Sequence, residues 1–306
     1  MPRTKKIPSK PRFSYATTKA YELLVMLGIS TFPVNPWEII GHFPNWKLRT
    51  GLEMKNGTNG EDVLKGADGK TLTERDSRIY YIVYDERESN AQRVRWTLAH
   101  EIGHIVLGHL DDFEATSLLR RGLTDKQYGT LEAETNWFAE SLLAPKIILK
   151  HFNCQSNPSI LRTMCDISQQ ATDTLLGHLA IAERAYPPVA IHVLRDFYRH
   201  IVSGHYSFVP KELKGNNIVL PVAYEDYMEC DYWEFIIMCI RDWEKNKLLS
   251  ATLKNTVAYY DCEDMVIFAS NDTAALVIAE RKVAILNCLE KYANSPVRNI
   301  TVAVTT

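Results

Sequence analysis

The run Leu98–His109, LAHEIGHIVLGH, sets three histidines and one glutamate among apolar residues and glycine. Wound as a helix at about 100° per residue, it puts His104 roughly 40° and Glu101 roughly 100° from His100. Leu98, Ala99, Ile102, Ile105 and Val106 spread over the other side, so the stretch is amphipathic. Two imidazoles four residues apart point the same way and suit one ion, and neutral imidazole is a good zinc ligand. A carboxylate beside the metal but not on it can take a proton from metal-bound water. His100 and His104 are therefore the candidate ligands and Glu101 the candidate general base of a zinc hydrolase. If the helix continues, His109 falls near 180° and reads as a packed or capping histidine. The longer metzincin pattern needs Gly at 107 and His at 110; Leu107 and Leu110 exclude that subclass.

A third ligand must come from a second element, leaving a fourth position for water. Residues 131–145, LEAETNWFAESLLAP, form another amphipathic segment, stopped near Pro145. Leu131, Phe138 and Leu142 share one face; Glu132 and Asn136, four apart, share another. Glu132 is the expected third ligand, with Asn136 on the same face to hydrogen-bond the site. Glu134 points roughly opposite and is the second choice. Just before the metal helix, Arg78–Asp85, RIYYIVYD, has the β-branched and aromatic composition of a strand. As an edge strand at the cleft, Tyr80, Tyr81, Ile82, Val83 and Tyr84 would bind an extended substrate by strand addition; a plain sheet strand is the competing reading.

The elements that must hold these residues follow from periodicity and breakers. Residues 14–30 predict a helix ending near Gly28, then a short one capped by Asn35 with Pro36 in its first turn. Residues 51–76 read as loop with at most one hairpin, and GADGKT within them as a turn, because Leu64 stands where a phosphate loop needs Gly. The metal helix is expected to start between Asn90 and Val94. Residues 158–184 predict two helices joined at Asp166–Ser168; with Arg162 and Arg184 their only Lys or Arg, direct nucleic-acid binding is disfavoured. Beyond the break at Tyr186–Pro188 the expected order is helix (224–247), strand (252–260), strand (265–269), helix (273–293) and strand (299–304). That is an α-β-β-α-β module with a three-stranded sheet and helices on one side.

Composition sets the bounds. The 306 residues are 46% apolar and 24% charged with a formal charge of −2, an ordinary balance with no overall pull toward nucleic acid or anionic membrane. No apolar run approaches a membrane span, and the opening MPRTKKIPSKPR is a short basic arm rather than a secretory signal. Six cysteines without a C-x-x-C pair read as free thiols in a reducing cytosol, so a cytoplasmic location is expected. The expected organisation is a flexible basic arm (1–13), a zinc metallopeptidase domain (14–190), a linker (191–217) and a small α/β domain (218–306).

RVRWTLAHEIGHIVLGH, EAETNWFAESLLAP and AYELLVMLGISTFPVNPWEI together resemble the ImmA/IrrE family of zinc metallopeptidases over residues 14–185. Thr135 stands where that family usually has Ala, and Ala144 where it usually has Met. The resemblance implies an α+β fold, a mainly helical zincin-like peptidase domain with a small sheet. It also implies one Zn2+ per chain on His100, His104 and Glu132, with Glu101 as general base. The substrate it implies is a helix-turn-helix repressor whose cleavage switches on mobile-element or stress-response genes. The C-terminal part resembles the DnaA N-terminal domain and the polymerase tau C-terminal domain, modules that bind other proteins, which implies a protein-interaction or sensing role. The competing class is a non-catalytic zinc-containing sensor or adapter that binds a repressor or replication protein. Structural zinc sites are usually closed by four protein ligands, often Cys, and no cysteine lies near either motif.

Overall fold

A helix starts where a side chain can replace the partners its first N–H groups lack. The Asn35 side chain accepts from Trp37 N at the start of α2, and Asn90 accepts from Gln92 N and Arg93 N at the start of the metal helix. Thr124 and Gln127 cap each other's backbone ahead of the helix that carries Glu132. The computed structural model describes residues 7–57, 60–74, 78–112, 123–152, 154–180, 186–203, 220–230 and 232–304. The architecture is α+β, and the chain divides into two compact units, Met1–Val193 and Leu194–Thr306. No helix of the described residues is long and apolar enough to cross a membrane.

The first unit runs α1 (Phe13–Met26), α2 (Pro36–Gly41), β1 (Trp46–Thr50), α3 (Gly51–Gly57), β2 (Gly69–Glu74), β3 (Ile79–Tyr84) and α4 (Ala91–Val106). It continues with α5 (His109–Asp112), α6 (Asp125–Leu143), α7 (Lys146–His151), α8 (Pro158–Cys165), α9 (Gln169–Ala180) and α10 (Ala190–Ser203), in which the division between the units falls. Ala16, Ala20, Tyr21, Leu23 and Leu24 form the buried stripe of α1. The stripe packs on α6, where Trp137 Nε1 donates to Thr17 Oγ1 (2.9 Å). Gly28, at φ 65°, lets the chain leave α1 in the left-handed conformation that closes a helix.

The sheet overturns the edge-strand expectation. Its order is β1-β3-β2, with β1 parallel and β2 antiparallel to β3. Tyr80, Tyr81, Ile82, Val83 and Tyr84 have partners on both sides, Trp46–Thr50 on one and Gly69–Thr73 on the other. Their ladder is complete and has no place for another strand. The edge strands are β1 and β2; β2 lies inside the stretch expected to be loop, and so does α3. Two further expectations for this part of the chain change. Arg12, assigned to a flexible arm, is fixed on Glu134. Residues 191–203, assigned to a linker, belong to an amphipathic helix with Ala190, Val193, Leu194, Phe197 and Ile201 buried at helical spacing.

In the second unit β4 (Met228–Glu229), α11 (Trp233–Asp242), α12 (Lys247–Leu253), β5 (Val257–Asp261), β6 (Asp264–Ala269), α13 (Asp272–Glu280), α14 (Lys282–Ala293) and β7 (Asn299–Val304) make a four-stranded sheet. Its order is β4-β5-β6-β7, one short strand more than expected. Met265–Ala269 is buried throughout, as a strand covered on both faces must be. Tyr224 and Tyr227, read as part of a helix, instead pack with Leu220 on Val257, Tyr259, Val266 and Phe268. The expected long helix 273–293 is two, broken where Arg281 leaves the helical region at φ −111° and ψ 12°.

Helices α4 and α6 meet at Gly103. A Cβ added there would lie 3.0 Å from Phe138 Cδ1 and 3.3 Å from Thr135 Cγ2. Gly103→Val should therefore lower the unfolding free energy by about 1–3 kcal/mol. Gly129 also sits within α6 but faces open space, and Gly129→Ala should raise stability by up to about 1 kcal/mol. Urea titrations of the two variants check both signs.

Candidate metal centre

Helix α4 ends at Val106 and the chain turns at Gly108, φ 74°, so His100, Glu101 and His104 occupy its last two turns. His109 lies beyond that turn, at the start of α5, and is fully buried. From α6, Glu132 reaches the histidine pair. His100 Nε2 and His104 Nε2 are 3.1 Å apart; Glu132 Oε2 is 3.2 Å from the first, and Glu132 Oε1 is 3.5 Å from the second. Among the described residues these three side chains form the group able to hold a metal ion. The triangle fits: ligand atoms bound tetrahedrally at about 2.0–2.1 Å stand about 3.3 Å from one another. Two neutral Nε2 atoms at 3.1 Å share no hydrogen when their Nδ1 atoms carry the protons, and a cation resolves their repulsion.

The partners of the outer nitrogens set the tautomers. His100 Nδ1 donates to Asn136 Oδ1 (3.0 Å), one turn beyond Glu132 on α6, leaving a lone pair on His100 Nε2. His104 Nδ1 lies 3.1 Å from His109 Nδ1. Burial, with His100 and His109 nearby, holds His104 well below the usual histidine range, so it is neutral. Burial also acts to lower His100, but the Glu132 and Glu101 carboxylates outweigh it and raise this imidazole. The spot draws positive charge.

Glu101 is buried beside the triangle. Thr71 Oγ1, from edge strand β2, donates to its Oε2 at 2.7 Å. Burial pushes this carboxyl up, while His100 and the Thr71 hydroxyl pull the other way. The contact needs β2 to lie close on α4, which Gly69 permits: a Cβ there would meet Thr97 Cγ2 at 2.3 Å and Glu101 Cγ at 3.3 Å. Gly69, Lys70 and Thr71 line a cleft of about 450 Å³ with Trp96, Tyr128 and the metal-facing residues. Sequence reasoning missed Gly69 and Thr71; the alternation in KTLTE was the signal that could have shown a strand there. It also placed a substrate strand on Tyr80–Tyr84, whose two edges are already taken by β1 and β2.

Glu134 faces away from the triangle. Burial would raise its carboxyl, but hydrogen bonds from Arg12 and His109 more than offset this and hold it down to about 2.

Residues 61–165 match the family described as Peptidase M78, IrrE N-terminal-like domain. This part of the chain is thus similar to the ImmA/IrrE family. A relative, the radiation response metalloprotease IrrE of Deinococcus deserti, is 28% identical over 142 residues, covering 44% of this chain and 50% of the relative. The chain thus spans about half the length of that relative. The ImmA/IrrE match includes β2, β3, α4 and α6, and with them all of His100, Glu101, His104, Glu132, Glu134 and Asn136.

The depressed Glu134 carboxyl predicts acid lability. Its stabilising contribution is present above the unfolded-state value near 4.5 and is lost as pH falls from there toward about 2. It amounts to about 3 kcal/mol at most. Urea unfolding of wild type and Glu134→Gln should therefore differ most at neutral pH and converge below pH 3.

Proposed function

We propose that the chain is a zinc-dependent endopeptidase with His100, His104 and Glu132 as ligands and Glu101 as general base. The observation that carries this reading is the His100–His104–Glu132 triangle, with a buried carboxylate next to it that belongs to none of its corners. The match of residues 61–165 to a peptidase family supports it. When bound, zinc supplies a Lewis acid and lowers the pKa of water to about 7. The chain's own groups do the rest. The Nδ1 sides of His100 and His104 are occupied, so their Nε2 lone pairs face one point. Glu101, oriented by Thr71, accepts the proton of the attacking water and passes it to the leaving amine. The edge of β2 that carries no strand among the described residues offers backbone groups to an extended substrate segment alongside the cleft.

The substrate in this reading is a regulatory protein, a helix-turn-helix repressor, and its cleavage derepresses mobile-element or stress-response genes in the cytoplasm. The family resemblance and the radiation-response relative support that choice. The α/β module at the C-terminal end serves to hold a protein partner or sense the inducer, as its resemblance to protein-binding domains suggests.

The test is cleavage of the helix-turn-helix repressor encoded beside this gene, with and without chelator, followed by mass analysis of the fragments. Glu101→Gln should retain zinc and lose at least about 10²-fold in rate. His104→Ala and Glu132→Ala should lose both metal and cleavage. Wild-type rates in Glu101→Gln, or full zinc content in Glu132→Ala, would overturn the assignment.

A further inference from the structure

Behind the metal-facing atoms, buried polar groups form an unbroken line. His109 Nδ1 lies 3.1 Å from His104 Nδ1, and His109 Nε2 lies 3.2 Å from Glu134 Oε2. Glu134 Oε1 accepts from the backbone N–H and Nε of Arg12, and Oε2 from its Nη2, each at 2.8 Å. The side chains of His109 and Glu134 have no exposed surface. The line begins at one of the two metal-facing imidazoles and ends in the segment that precedes α1.

One placement of protons satisfies every member. Three N–H groups of Arg12 and one of His109 fill the roughly four acceptor sites of the Glu134 carboxylate, so it carries no proton of its own. His109 Nε2 therefore bears the hydrogen given to Glu134, and in neutral His109 Nδ1 is an acceptor. The partner of that acceptor is the Nδ1–H of His104. With His109 protonated instead, two N–H groups would face each other across 3.1 Å. His104 is thus left with its lone pair on Nε2, toward His100 Nε2 and Glu132.

We propose that His109, Glu134 and Arg12 are positioning residues of the metal centre, which lock His104 in the tautomer whose Nε2 can bind the ion. The segment before α1 is then part of the site, although more than ninety residues separate Arg12 from His104. The proposal rests on the reading that zinc sits at His100, His104 and Glu132. Outer partners of metal-bound histidines fix ring orientation and raise ligand basicity, and losing one costs about 10- to 100-fold in metal affinity.

The experiment uses the full chain. Zinc affinity is measured by competition with a chromophoric chelator for wild type, Arg12→Ala, Arg12→Lys and Glu134→Gln, and histidine tautomers are read by long-range proton–nitrogen NMR with and without zinc. Arg12→Ala and Glu134→Gln should weaken zinc about 10- to 100-fold, Arg12→Lys should recover part of the loss, and wild-type His104 should carry its proton on Nδ1. Should Glu134→Gln fail to fold, Arg12→Ala decides, since that side chain sits at the half-exposed end of the line. Folded Arg12→Ala with wild-type zinc affinity would overturn the proposal, as would a His104 protonated on Nε2 in the metal-free chain. A wild-type chain that bound no zinc would instead sink the zinc reading; the metal-free NMR measurement would still decide the tautomer lock.

Discussion

The close approach of α4 and α6 at Gly103 is the constraint on which the rest of the centre depends. The histidines come from one helix and Glu132 and Asn136 from the other, so the distance between their axes sets the size of the triangle. Phe138 and Thr135 fill the space that a side chain at 103 would need. Glycine inside a helix costs about 1 kcal/mol relative to alanine, which makes position 103 a place where packing outweighs helix propensity. The same residue that weakens α4 locally lets the two helices bring His100, His104 and Glu132 together. A second clamp fixes α6 from its other end: Glu140 pairs with buried Lys146 of α7 at 2.8 Å and with His178 of α9 at 2.7 Å. Removing one partner from such a pair would leave an uncompensated buried charge, so α6 cannot shift cheaply along its axis.

Two buried glutamates show how surroundings divide one chemistry into two roles. Glu101 has a hydroxyl donor and a neighbouring imidazole, and burial dominates, so its carboxyl is raised. Glu134 has a guanidinium, a backbone N–H and an imidazole, and is depressed to about 2 although it is fully buried. A carboxyl raised toward neutrality takes and returns protons readily, whereas one held far below it is a fixed negative charge. Their partners, Thr71 on an edge strand and Arg12 before α1, come from parts of the chain with no local sequence relation to the helices they serve.

That separation explains what the sequence made legible. The residues facing the ion announce themselves through helical spacing, because both motifs lie within one or two turns of a helix and 3.6-residue periodicity is a local property. Asn35, Asn90 and the stop at Gly28 are local in the same way. Strand order is not local: RIYYIVYD reads as a strand, but nothing in it tells whether neighbours bond one edge or both. Gly69–Glu74 hid among Gly, Asp and Lys because a half-polar edge strand lacks the apolar run that marks a central one. Arg12 looked like one more charge in a basic tail, since its partner lies 122 residues away. The helix at 190–203 was overlooked where breakers on either side dominated the reading, although its apolar residues recur every three or four positions.

The sheet and the metal helix then form one device. β3 is committed on both edges, which makes it a rigid floor. β2 lies beside it, with no strand on its other edge among the described residues, and its Gly69 and Thr71 press on α4. The strand that orients Glu101 from one side is thus also the strand that borders the cleft, and in the proposed peptidase a chain lying along it would be placed in register with Glu101. Register matters because side chains alternate faces along a strand, so a slip of one residue would turn the whole substrate over. A peptide bond held by backbone pairing needs no particular side chain to reach the centre. In the proposed peptidase, selectivity would then come from what the cleft walls, with Lys70, Trp96 and Tyr128 among them, accept on either side of the bond to be cut.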